Sequence, residues 1–149
     1  MIAVIQRVLN ASVRIDKEIY SNIGIGLLIL LGIRKGDTEE NCRSLAKKII
    51  DLRIFNDVND KMNLSVKDID GEVLVISQFT LCLDNDKSGN RPSFSLSEIS
   101  ERANTLYELN VKELKSYYLS DKIKTGVFAA KMEVNLINDG PVTIILEKN

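Results

Sequence analysis

The order of apolar and polar positions divides the chain into strand-rich stretches separated by two helices. MIAVIQRV (1–8) and ASVRID (11–16) run apolar or alternate, as half-buried strands do. A turn is expected at Lys17 and Glu18, and the pair Gly24 and Gly26 precedes the strand pattern LLILLGIR, so the N-terminal part reads as an antiparallel meander. Asp37 and Thr38 offer helix caps, Glu40 stands three residues after Asp37, and Cys42, Leu45, Ala46 and Ile49 follow helical spacing. Together they predict a first helix over 38–52. After the turn-rich NDVNDKMN come a short apolar piece at Leu64 and Val66, a turn at Asp70 and Gly71, and the strand pattern EVLVISQFTL. The polar loop DNDKSGNRPSF leads to a second helix. Ser95 and Glu98 have the spacing of a capping box, and Ile99, Ala103, Leu106, Leu114 and Tyr117 form an apolar stripe that should end near Leu119. KMEVNLIN and VTIILE are strand patterns separated by Asp139, Gly140 and Pro141. Strands grouped around two separated helices indicate one α+β domain over 1–149: a mainly antiparallel sheet curled into a partial barrel, with two principal helices.

Composition narrows the partners. Twenty basic against 21 acidic residues leave a formal charge of -1, so no global field draws the protein onto DNA, RNA or a membrane, and any RNA contact must be local. The longest apolar stretch, IGIGLLILLGI, is too short to cross a bilayer, and the first residues lack the basic start and cleavage site of a signal peptide. Cys42 and Cys82 lie in a helical and a strand pattern and read as reduced core thiols. These features lead to the expectation of a cytoplasmic protein without a membrane partner.

Histidine is absent from all 149 residues, which removes Ser-His and Cys-His pairs and the usual imidazole ligands of zinc. No metal or other cofactor is expected. DNDKSG places Asp84, Asp86, Ser88 and Gly89 at the offsets of a calcium loop, yet the twelfth position of that frame is Ser95 where a bidentate Glu is required. A solvated turn fits better. Gly24-Ile25-Gly26 likewise fails as a dinucleotide fingerprint, because Ile29 occupies the place of the third glycine.

Two stretches remain. SQFTL carries Ser77, Gln78 and Thr80 at the end of a run otherwise fit for a core, where an unpaired hydroxyl or amide costs roughly 1–3 kcal/mol. Either neighbouring backbone satisfies these groups or they face a ligand. NDGPVT sets a glycine before a proline between two strands, a combination that permits unusual dihedrals as well as an ordinary turn.

With these two stretches the chain resembles the D-aminoacyl-tRNA deacylases, the chirality-proofreading enzymes of translation. MIAVIQRVLNASV, KMNLSV, VISQFTL, RPSFS, TGVFAAKM and NDGPVT are similar to that family's segments and occur in the family's order, from one end of the chain to the other. The resemblance implies a homodimer that hydrolyses the ester of D-aminoacyl-tRNA, and of mischarged glycyl-tRNA, releasing the amino acid and free tRNA. It implies that Ser77, Gln78, Phe79 and Thr80 line the catalytic pocket, with backbone amides around Phe79 and Thr80 holding the oxyanion. Gly140 and Pro141 of the other subunit would be the chiral selector, joined in the family by a cis bond that points two carbonyls the same way. Arg7 matches the arginine that holds this loop, although a surface arginine at a strand end is an equal reading of that residue. Phe128 and Met132 match the region around the terminal adenosine; periodicity alone would make them core. The tRNA 2′-hydroxyl is the family's assistant in hydrolysis. Two alternatives stand beside this reading: Thr80 as a covalent nucleophile, and a non-catalytic dimer that binds aminoacyl ligands or tRNA ends.

Overall fold

A computed structural model describes residues 1–86 and 89–148. Ser88, one position of the calcium-like spacing, lies outside the described residues. The elements are β1 (Ile2–Ile15), β2 (Glu18–Ile23), β3 (Gly26–Gly32), α1 (Glu39–Ile50), β4 (Phe55–Asn56), β5 (Met62–Leu64), β6 (Glu72–Ser77), α2 (Ser100–Tyr117), β7 (Ile123–Thr125) and β8 (Glu133–Glu147).

MIAVIQRV and ASVRID are one continuous strand, and the turn after them lies one residue earlier than expected, at Asp16 and Lys17, whose φ values are 50° and 71°. Ala11 faces Ile23 and Val8 faces Gly26 in the same antiparallel register, so β2 and β3 are successive parts of one return strand. The N-terminal unit is therefore a long hairpin, not the expected meander. β8 runs antiparallel along the opposite edge of β1, from Ile2 facing Glu147 to Arg14 facing Glu133. On the far side β3 pairs with β6, and β6 with β7, both in parallel. The expected α+β class holds, with a mixed sheet nearly closed into a barrel. Alternation identified strands but carried no information on the direction of their partners.

The parallel centre explains why LLILL and VLVI are apolar at every position. Leu27, Ile29, Leu31, Val73 and Val75 enter a core shared with α1 and α2, whereas Leu28, Leu74 and Ile76 enter a second core with Val8, Val13 and Ile23. Both faces of β3 and β6 are covered, as in other parallel pairs.

Thr38 caps α1: its side chain accepts from Asn41 N, and Asn41 Oδ1 accepts from Thr38 N at 2.8 Å. The expected Asp37–Glu40 box does not form. Asp37 is instead buried, receiving hydrogen bonds from the Met1 ammonium and from Arg34 N at 2.7 Å. The helix it precedes is two residues shorter at the C-terminal end than expected, stopping at Ile50. At α2 the N-cap is Ile99, with no side-chain capping bond, and the helix stops at Tyr117. Ser95 donates to Asp84 Oδ2, and Glu98 accepts from Ile99 N at 2.9 Å, so these two residues do not form the expected box. Ala103, Leu106 and Leu114 are buried as expected; Ile99 and Tyr117 are exposed.

Candidate active site

The parallel strands β3, β6 and β7 end at the same edge of the sheet, and their C-terminal ends surround a cavity of about 520 Å³. Ile33 follows β3, β6 supplies Ile76 and Ser77 followed by Gln78 and Phe79, and the segment after β7 supplies Phe128 to Ala130 and Met132. The remaining wall comes from the approach to α2, with Ser97 and Glu98, from its first turn, with Ser100 and Ala103, and from Val134 of β8.

SQFTL is not a buried strand end. β6 stops at Ser77, and Phe79–Leu81 form a single 3-10 turn. Ser77 and Gln78 are half-buried, Thr80 is exposed, and Phe79 is 56% exposed with its ring edge-to-face on Phe94 at 5.2 Å. The burial penalty expected for these polar groups therefore does not arise, because the strand breaks where the cavity opens. The turn starts a new set of amides. Gln78 N donates to Leu31 O at 2.8 Å and Leu81 N to Gln78 O at 3.3 Å, whereas Phe79 N and Thr80 N enter none of the described hydrogen bonds. The first amides of a helical turn have no intrahelical acceptor. Both amides are thus without a carbonyl partner among the described residues; Phe79 lines the cavity, whereas Thr80, next in the turn and expected to line it with the rest of SQFTL, is not one of the lining residues. Gln78 Nε2 donates to Thr80 Oγ1. That contact occupies a lone pair of the hydroxyl and offers it no base.

Phe128 and Met132 are half-buried wall residues, not interior core. Phe128 packs on Tyr107 at 5.8 Å, and the Tyr107 hydroxyl donates to Val75 O at 3.0 Å, tying this wall to β6. Burial pushes the Tyr107 hydroxyl upward from its ordinary pKa, so it remains a donor to that carbonyl. Met132 lies over Gly126: a Cβ there would come within 2.6 Å of its sulfur. Ala129, between these residues, has φ of 60°, a left-handed conformation that non-glycine residues seldom adopt.

Gly140 and Pro141 are exposed and are not among the residues lining this cavity in the single chain. Strand β8 makes a wide bulge there. Gln6 pairs with Thr143 and Val8 with Asn138, so Arg7 alone stands opposite residues 139–142. The Gly140–Pro141 peptide is cis, and Gly140 has φ of 124°. Asn138 spans the bulge, its Oδ1 accepting from Val142 N and its Nδ2 donating to Thr143 Oγ1, both at 3.0 Å.

Arg7 is not a surface residue; only 8% of it is exposed. Its Nη1 donates to Ile54 O at 2.7 Å and Asn56 Oδ1 at 3.2 Å. Its Nε reaches Asp139 O at 3.2 Å and Asp139 Oδ2 at 3.1 Å. A charged group of this size is buried only when it is paired, and here Nη1 is held by Ile54 and by Asn56 of β4, and Nε by Asp139 of the bulge.

Sequence reading missed Ser97, Glu98 and Ser100 as pocket residues; Glu98 reads as half of a capping box with Ser95, and the two serines carry no signal of their own. It also missed Asn138, whose neighbour relations are set by the bulge. Cys42 and Cys82 are free and buried, as expected. Burial, reinforced by the Asp37 carboxylate, pushes the Cys42 thiol up to about 11, and burial also raises Cys82. Among the described residues no group of three or more His, Cys, Asp or Glu is placed to hold a metal ion. Among the described residues no helix is long and apolar enough to cross a membrane.

Comparison with known proteins bears on this pocket. The model of the D-Tyr-tRNA(Tyr) deacylase family matches residues 4–147. The D-aminoacyl-tRNA deacylase of Persephonella marina is 56% identical over 147 residues, covering 99% of this chain and 97% of its own. That of Dictyoglomus turgidum is 54% identical over the same length, covering 99% of this chain and 92% of its own. Among solved structures, one described as c-Myc DNA Unwinding Element Binding Protein superposes with a TM-score of 0.94 at 42% identity, covering 100% of this chain and 99% of the other. A structure described as that of a probable eukaryotic D-amino acid tRNA deacylase reaches a TM-score of 0.81 at 12% identity, covering 97% of each chain, and so shares the fold. With a family match from Val4 to Glu147 and relatives more than half identical across their length, the chain belongs to the D-Tyr-tRNA(Tyr) deacylase family.

Proposed function

We propose that the cavity at the ends of β3, β6 and β7 hydrolyses the ester of D-aminoacyl-tRNA with water as nucleophile. Deacylase activity is what the family and its members share. The observation that carries the finer reading is the pair of amides at Phe79, which lines the cavity, and Thr80, the next residue of the turn, both without carbonyl partners among the described residues. They hold the oxyanion that forms as the ester carbon becomes tetrahedral. One such donor is worth roughly 2.7–4 kcal/mol in a hydrolytic site. Ser77 and Gln78 border the same polar substrate. Phe128 and Met132 form the apolar wall for the terminal adenosine, and its 2′-hydroxyl assists the attack.

Gly140 and Pro141 act as the chiral selector from the other subunit of a homodimer. Their exposure, and their absence from the cavity wall of their own chain, support a role in a partner's pocket. Backbone carbonyls there receive the ammonium of the aminoacyl group. With ammonium and ester held, a D side chain points outward and an L side chain collides with main chain. Exclusion of this kind needs no affinity for any particular side chain. Glycine has only hydrogen at that position, so glycyl-tRNA is a substrate too. Arg7 supports the selector through its contacts to Asp139.

The test is deacylation of D-, L- and glycyl-tRNA by wild type and Thr80→Ala, with 2′-deoxy terminal adenosine as a second substrate. The alanine variant keeps the amide, so it should retain substantial activity toward D-aminoacyl-tRNA, while the deoxy substrate should be cleaved poorly. A folded but inactive Thr80→Ala that binds tRNA, together with normal cleavage of the deoxy ester, would establish Thr80 as the nucleophile. Binding without any hydrolysis by wild type would leave a non-catalytic module.

A further inference from the structure

Among the described residues Glu98 is the one charged residue lining the cavity, and nothing in the hydrolysis just described uses it. Its side chain is only 11% exposed, and its position is held twice. Oε1 accepts from Ile99 N at 2.9 Å, and Oε2 pairs with Arg102 Nε at 3.2 Å. Arg102 is anchored in turn, since its Nη2 donates to Asp37 O at 2.8 Å. A carboxylate offers about four lone-pair directions and can only accept. Two of these directions are taken by protein donors, which leaves acceptor capacity on a residue that forms part of the cavity wall.

We propose that Glu98 binds the exocyclic amine of the terminal adenosine. This rests on the reading of the cavity as the site for the aminoacylated tRNA end. The Phe79 and Thr80 amides place the ester at the β6 side, while Phe128 and Met132, on the segment after β7, supply apolar wall for a base. The polar edge of that base then has the α2 approach before it: Ser97, Glu98 and Ser100. Adenine in a nucleoside carries a single hydrogen-bond donor, the exocyclic amine, and a carboxylate can pair with the base only there. The serine hydroxyls can donate to its ring nitrogens. Guanine would present its O6 acceptor to the same carboxylate and be repelled. Arg102 is a positioning residue: it fixes the carboxylate and offsets its negative charge near an incoming phosphate chain.

The experiment compares wild type, Glu98→Gln and Glu98→Ala on D-aminoacyl-tRNA ending in adenosine or in purine riboside, which lacks the amine. For wild type, removing the amine should raise KM roughly ten- to a hundredfold, the loss typical of a hydrogen bond to a charged group, with kcat within about twofold. Glu98→Ala should show the same rise with adenosine and no further rise with purine riboside. Glu98→Gln, whose amide oxygen still accepts, should fall between. Titration calorimetry with non-hydrolysable 3′-(D-aminoacyl)amino-3′-deoxyadenosine and its purine counterpart supplies the same cycle without turnover. Should wild type bind this ligand yet hydrolyse nothing, the catalytic reading fails and the calorimetric cycle still decides the role of Glu98. Losses that multiply overturn the proposal. So does a wild-type protein indifferent to the amine, including the case where Glu98→Ala alone weakens binding, which would assign the carboxylate to a ribose hydroxyl or the ammonium.

Discussion

The backbone at Gly140 tolerates no side chain. Its φ of 124° lies where L-residues are strained, and an added Cβ would stand 2.8 Å from Val142 Cγ2 and 3.1 Å from Arg7 Nη2. Gly140→Ala should therefore cost roughly 1–3 kcal/mol, a range typical of a forced backbone conformation. Urea denaturation measures this cost, and deacylation of D-aminoacyl-tRNA by the folded fraction should fall well below wild type. Wild-type stability and rate would show that the bulge has room to adjust and that no selector is built on its shape. At this scale the sequence was partly legible. Glycine before proline points to a special backbone but reads as the separator of two strands, where the structure has one strand, β8, with a bulge, and SQFTL points to the pocket edge. Arg7 remained ambiguous, because only the fold brings Ile54, Asn56 and Asp139 around one guanidinium.

Among the elements, α1 has the clearer local code, yet the choice of cap was misread. Two adjacent residues, Asp37 and Thr38, are both good caps in isolation. The competition is decided by the Met1 ammonium and Arg34 N, which engage the Asp37 carboxylate and leave Thr38 to close the box with Asn41. Thr38→Ala should lower stability by about 1 kcal/mol. A shift of the urea midpoint at constant slope reads this out. Deacylation kinetics well below the melting range should be unchanged, since Thr38 does not line the cavity. A similar competition ends β6. Apolar residues carry the strand through Ile76, and the chain then turns at Phe79–Leu81, a 3-10 turn that a run of strand-forming residues did not announce.

For the whole molecule, the proposed mechanism requires two chains, because the loop at Gly140 and the cavity belong to different parts of each surface. Sedimentation at assay concentration should find twice the 16.7 kDa of one chain, with no active monomer. A fully active monomer would remove the cross-subunit selector. Stability should also depend on alkaline pH. The Cys42 thiol, ordinarily near 9.0, is pushed up to about 11 chiefly by burial. Above its unfolded pKa the unfolded chain releases a proton that the folded chain retains, so the unfolded state binds fewer protons and stability falls as pH rises. The fall should run between about pH 9 and 11 and appear as a declining urea midpoint. Cys42→Ala should flatten that decline, and an unchanged slope would place the thiol outside the linkage.

By itself the sequence determined the α+β class, the number of long helices, the burial of both thiols, the absence of histidine chemistry and, through six ordered segments, the family. These are local or compositional properties: periodicity, turn residues and residue types do not depend on which elements become neighbours. Tertiary structure decided the rest. It made β3, β6 and β7 parallel, so that their ends converge on one cavity, and it brought Glu98 to that cavity from a stretch that read as a cap. It also set four residues of β8 against Arg7 alone. Strand direction, register and the partners of a buried charge are relations between distant segments, fixed by which apolar faces can be covered together, and no window of neighbouring residues contains them.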